Sequence, residues 1–342
     1  MSSEVKEEMR ASSGRRFSLD LKLSRTSLYW LNRALPIFCG LAVLVYLYFH
    51  APSFYRVNNL LNILVQTSSL GLLAIGMTFV LLTGGIDLSM PANMAFGAVL
   101  GGFVMRAPIN QAVWWGTLVM VAAPTAIGFL NGYAVAYLRM VPFVVTLATM
   151  TVIGGATVWL TNSRSVTGFP KPYFDLFMAR FGGLPLSVLI LIAVAAITSL
   201  VASATILGRW LYSVGINARA ARAARVPVEQ VTLISYLLAG GLAGVTAVVL
   251  TARLGSASAN MGSDGVVLDI VSSCVVGGVS IYGGVGNPLN AVFGAIFITL
   301  VSNALNLLGI SYFTNLVIKG TLIIGFIALE NLRRHLEQKF SS

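Results

Sequence analysis

Ten apolar stretches follow one another along this chain, each at or near the roughly 20 residues that a helix needs to cross a bilayer, and that succession fixes the solvent in which the chain folds. They are read at 35–49, 60–82, 88–105, 112–138, 140–160, 184–207, 231–252, 266–281, 289–308 and 313–329. Only 10% of the residues are charged, against about 25% in a soluble domain. So many apolar spans cannot close around an aqueous core, and the 34 glycines suit close helix packing in lipid. The expected fold is an all-α polytopic bundle of about ten transmembrane helices over 34–330, with polar tails at 1–33 and 331–342. The polar, basic start has no short apolar core before a small-residue cleavage site, so no cleavable leader is expected.

The net charge of +11 does not point to nucleic acid, because seven of the 22 basic residues lie before Leu35 and most others flank spans. Membrane sidedness explains them better. An even number of spans puts both ends on one side. With that side inside, fifteen Lys and Arg fall in inner loops and tails and six in outer loops. Both termini are therefore expected in the cytoplasm of a multi-pass protein. The second half of the first tail mixes basic and apolar residues and suits either a lipid surface or solvent. Cys39 and Cys274, both inside apolar stretches, are expected to be buried free thiols.

One internal loop stands apart. The segment 208–230 carries Arg209, Arg219, Arg222 and Arg225 among alanines. Asn217 is placed to cap a short helix, which the alanines favour, and Glu229 falls in the first turn of the next helix after Pro227. Small residues such as Ala220 let such a helix sit in a partner's cleft; an anchor on anionic lipid is the other use. On the expected topology this loop is cytoplasmic. The longest outer loop, 161–183, is rich in Gly and Pro and reads as a structured connector.

Two spans are short and broken by paired glycines, at Gly84-Gly85 and Gly277-Gly278. Such breaks at matching places in two halves mark a substrate pathway. Asp87 follows the first break. It either caps the next span or lines a pathway, because a carboxylate in lipid costs about 2.5–3.5 kcal/mol. Lys319, deep in the last span, needs a partner: Asp87, Asp269 or carbonyls freed at a glycine break. Gln66, Asn93, Asn131, Asn303 and Asn306 put neutral amides inside spans, either lining a path for a polyhydroxylated solute or bonding between helices. Asn303 and Asn306, three apart, share a helix face.

The sequence holds no GxxxxGK[ST] phosphate loop and no HExxH or Cys–His metal cluster. An enzyme has almost no residues to work with, no cofactor is expected in this chain, and energy for transport must come from elsewhere. An ion-coupled carrier is the rival reading, with only Asp87 and Lys319 to serve it.

Three blocks carry a resemblance to a known family. They are the run 74–89 ending Gly84-Gly85-Ile86-Asp87-Leu88-Ser89, the segment from Gly208 through Gly215, Asn217, Arg219 and Ala220, and the run 268–284 with Gly277-Gly278 and Gly283-Gly284. The chain resembles the permease subunits of bacterial ABC importers for ribose, arabinose, xylose, galactofuranose and autoinducer-2. It departs from the pattern at Met90-Pro91-Ala92, Arg219 and Val285. The resemblance implies a place in the bacterial inner membrane. It also implies a second permease copy, a periplasmic or extracellular sugar-binding protein, and a cytoplasmic ATPase that holds ATP and Mg and grips the coupling segment around Gly215, Asn217, Arg219, Ala220 and Arg222.

Overall fold

The computed structural model describes residues 51–339, together with Val45, Tyr48 and Phe49; most of the first apolar stretch and the first tail lie outside the described residues. The described chain is almost wholly helical. In order it runs α1 (Val57–Leu82), α2 (Met90–Arg106), α3 (Ala112–Ala136), α4 (Pro142–Thr161), α5 (Lys171–Phe177), β1 (Arg180–Phe181), β2 (Leu184–Pro185) and α6 (Leu186–Ala204). It continues with α7 (Ile206–Ala223), α8 (Val228–Leu254), α9 (Asp264–Val276), α10 (Pro288–Leu307) and α11 (Tyr312–Lys339). Seven described helical segments are long and apolar enough to cross a membrane. The expected third span is present as α2, whose 17 residues stand at the short end of the roughly 17–25 that a span needs, and most of it is enclosed by other helices.

Helices α1, α2, α8 and α10 form the interior, and α3, α4 and α6 turn apolar faces outward. Small residues set the spacing. Gly128 and Gly132 of α3 cross Gly240 and Gly244 of α8, so that a Cβ at Gly240 would overlap the Pro124 carbonyl and one at Gly244 would stand 2.6 Å from Val121 Cα. This is close backbone packing by glycines four apart, the lipid-phase substitute for a hydrophobic core.

The 161–183 connector folds as expected into ordered structure. It contains α5, and Gly182 and Gly183, both at positive φ (58° and 84°), turn β1 back onto β2 as a two-residue hairpin loop. Val166 pairs with Ala257 through two backbone hydrogen bonds of 2.8 and 2.9 Å. Tyr173 of α5 is fully buried and donates to the Val248 carbonyl at 2.7 Å; burial pushes its phenol above the ordinary value. Cys274 is a buried free thiol, as expected.

Candidate functional site

The three sequence blocks that carry the resemblance meet at one end of the bundle. Thr83 ends α1 and Gly84 reverses the chain at φ 79°. The Gly284 N–H donates to the Leu82 carbonyl at 3.0 Å. Gly215 of α7 fits between them, and a Cβ there would overlap both Leu82 O and Gly284 N. A Cβ at Gly283, itself at φ 92°, would stand 3.0 Å from Gly215 O and 3.1 Å from Gly84 Cα. Only glycine allows three backbones this close. Tyr212 adds a side-chain tie, its hydroxyl donating to the Gly286 carbonyl at 2.7 Å.

Beyond Gly215 the helix breaks. Asn217 is extended (φ −162°, ψ 99°) and splits α7 into 206–216 and 218–223. Its Oδ1 accepts from the N–H groups of Arg219 and Ala220, each at 3.0 Å, which is the cap anticipated from the residue type. The short helix is exposed at Ala218, Arg219, Ala220 and Arg222, while Ala221 is buried. Arg222 and Glu229 pair at 2.6 Å, joining this helix to the first turn of α8. Gly84, Gly85, Arg139, Arg222 and Glu229 border a cavity of about 360 Å³ behind it.

A buried polar network lies next to the first glycine break. Asp87, fully buried, accepts at Oδ1 from the Ser89 N–H (2.9 Å) and hydroxyl (2.6 Å). Ser89 Oγ accepts from Asn93 and Asn131, both at 2.9 Å, and Thr149 donates to Asn131 at 2.7 Å. The network fastens the 83–89 turn to α2, α3 and α4. Asp87 Oδ2, Asn93 Oδ1 and the Tyr236 hydroxyl are buried without hydrogen-bond partners among the described residues. Ser280, after the second break, accepts from the Tyr282 N–H at 3.1 Å, the same two-residue turn that Asp87 makes with Ser89.

A second cavity, of about 290 Å³, opens toward the other end of the bundle. Gln66 and Ser69 of α1, Arg253 of α8, Asp269 of α9, Thr299 and Ser302 of α10 and Lys319 of α11 give it polar walls. Glu229 and Arg253 are 24 residues apart on α8, so about 36 Å separates the two ends at 1.5 Å per residue. Lys319 Nζ lies 2.9 Å from one Asp269 oxygen and 3.0 Å from the other; of its possible partners, Asp269 is the one it takes.

The residues singled out in the sequence thus fall in several places. Gln66 lines the cavity. Asp87, Asn93 and Asn131 come together in the buried network. Asn303 faces Asn59 in a reciprocal amide pair, and Asn306 receives a long 3.5 Å contact from Asn315. Gly84 and Gly278 take left-handed φ (79° and 80°), whereas Gly85 and Gly277 admit close neighbours, the Tyr236 hydroxyl and the Asn290 carbonyl. Sequence reading passed over Thr299, Ser302 and the cavity role of Arg253. Asp269 was visible in it only as a possible partner for Lys319.

These features define a multi-pass membrane protein with a capped, exposed basic helix at one end and a polar cavity toward the other. The chain belongs to the family described as branched-chain amino acid transport system / permease component, whose model matches residues 59–327. Among its curated relatives, the ribose import permease protein RbsC of Bacillus subtilis (strain 168) is 36% identical over 86% of this chain and 91% of its own. The D-allose transport system permease protein AlsC of Escherichia coli (strain K12) is 33% identical, covering 82% and 85%. The L-arabinose transport system permease protein AraH of the same strain is 30% identical, covering 83% and 85%. No solved structure matches the chain. The resemblance read from the three blocks is borne out.

Proposed function

We propose that this chain is the permease subunit of an ATP-driven importer that moves a sugar or related polyhydroxylated solute across the bacterial inner membrane. On this reading 218–223 is the coupling helix, received by a cytoplasmic ATPase that holds ATP and Mg. A binding protein outside delivers the solute, and a second permease copy completes the pathway. About ten helices cross the bilayer, 35–49 supplying one, and both termini are cytoplasmic. The family description names an amino-acid system. A sugar is preferred because RbsC, AlsC and AraH are named for ribose, D-allose and L-arabinose, and because hydroxyls and an amide wall the cavity alongside its charges.

The observation that carries the reading is the Asn217-capped helix itself. It is small, basic and exposed, and it stands on a junction of main chain that ties it to the turns after α1 and before α10. A push on it moves backbone, not loose side chains. The test is uptake of labelled D-ribose, D-allose and L-arabinose into vesicles containing the permease, its ATPase and its binding protein. Uptake should require internal ATP and survive an uncoupler. Uptake abolished by the uncoupler at constant ATP would make the protein an ion-coupled carrier.

A further inference from the structure

Building on that reading, we infer that Asp269 selects the solute, accepting hydrogen bonds from neighbouring hydroxyls of a single neutral sugar ring, and that Lys319 positions it. The cavity of about 290 Å³ lies at the lower edge of the roughly 300–1,000 Å³ of small-molecule sites, a size for one ring. An ionised carboxylate has about four lone-pair positions. Lys319 donates to Oδ2 and lies 2.9 Å from Oδ1, and Oδ1 is without a hydrogen-bond partner among the described residues, so the carboxylate keeps acceptor capacity for a ligand. Asp269 and Lys319 keep 24% and 12% of their side chains exposed, so the pair borders the cavity and is not sealed inside a helix contact.

Two further observations point to a ligand. Ser69 Oγ, on the cavity wall and more than nine-tenths buried, has no hydrogen-bond partner among the described residues. Leu70, Leu73, Met94 and Leu250 stand among the polar groups of the lining, and a sugar ring likewise presents C–H faces beside its hydroxyls. Lys319 cancels the charge of Asp269. The carboxylate can then stand at membrane depth without the cost of an unpaired ion, and a neutral solute passes without trading against a net charge on this pair.

The test uses the full chain in membrane vesicles, with Ser302→Cys as a reporter on the cavity wall and a methanethiosulfonate reagent. One of D-ribose, D-allose or L-arabinose should slow labelling. Asp269→Asn with Lys319→Gln keeps the pair neutral but replaces the charged acceptor by the weaker amide oxygen. Sugar protection should then need about tenfold more sugar, as losing charge-assisted hydrogen bonds predicts, while labelling without sugar is unchanged. The exchange Asp269→Lys with Lys319→Asp keeps an ion pair but moves the carboxylate to the other wall, and it should lose protection likewise. Failure of all three sugars to protect the parent, or full protection in either double variant, would leave the pair a structural tie and overturn the inference. The assay needs neither ATP nor partners, so its outcome is separate from that of the uncoupler experiment.

Discussion

Asn59 and Asn303 exchange two amide hydrogen bonds of 3.0 Å each, tying the first turn of α1 to α10 across 244 residues of chain. Polar side chains inside a bundle have two uses, solute contact or helix pairing, and here each amide answers the other. Asn303→Leu should lower stability by roughly 0.6–1.7 kcal/mol, the range for such bonds in lipid, and leave the solute preference of uptake unchanged. Thermal unfolding in detergent measures the first effect. Asn59→Leu combined with Asn303→Leu should cost less than the sum of the two.

Gly215→Ala places a methyl group against Leu82 O and Gly284 N. The 3.0 Å hydrogen bond between Gly284 and Leu82 must then open, at about 1–3 kcal/mol for overpacking. Assembly with the ATPase should persist, because the exposed face of 218–223 is untouched. Uptake should fall by about tenfold or more, the change in rate that about 1.4 kcal/mol produces. Co-purification and vesicle uptake, measured on one preparation, separate the two effects.

Ala220 and Ala221 are adjacent and opposite in exposure. Ala220→Trp adds bulk on the outer face and should yield an inserted, stable permease that no longer retains its ATPase or transports. Ala221→Trp forces the same ring into a packed contact at about 1–3 kcal/mol and should lower the unfolding temperature of the permease alone. Normal uptake and ATPase retention with Ala220→Trp would shift the helix to a role at the lipid surface, where indole is favoured.

Asp87→Asn keeps an acceptor for the Ser89 N–H and hydroxyl and removes a buried charge. It should unfold within about 1 kcal/mol of the native protein. Asp87→Leu leaves both donors without an acceptor, and each such loss costs about 1–3 kcal/mol. A loss for Asn as large as that for Leu would mean that the negative charge itself holds the network together.

Local features were legible in the sequence, and features needing distant partners were not. The Asn217 cap was readable because donor and acceptor are two and three residues apart. The glycine breaks were readable because turns favour glycine wherever they occur. Seven of the spans came through from apolarity alone, and the stretch at 88–105 settled as a helix over Met90–Arg106. By contrast, helices apolar on every side do not announce which face meets a neighbour. Nothing local therefore joined Asn93 to Asn131, or Asp269 to Lys319 at a separation of 50 residues. The crossing of α3 with α8 left a trace that was passed over, glycines four apart at 128 and 132 and again at 240 and 244.

The joint at Gly84, Gly215 and Gly283 consists of main chain, which is chemically the same whatever a permease carries. The cavity at Gln66, Ser69 and Asp269 consists of side chains, and about 36 Å of α8 lies between the two ends. On the proposed function, cargo and motor are then separable problems for this protein: retargeting it to another solute should call for changes only at the far end, with the connection to the energy source carried over unaltered.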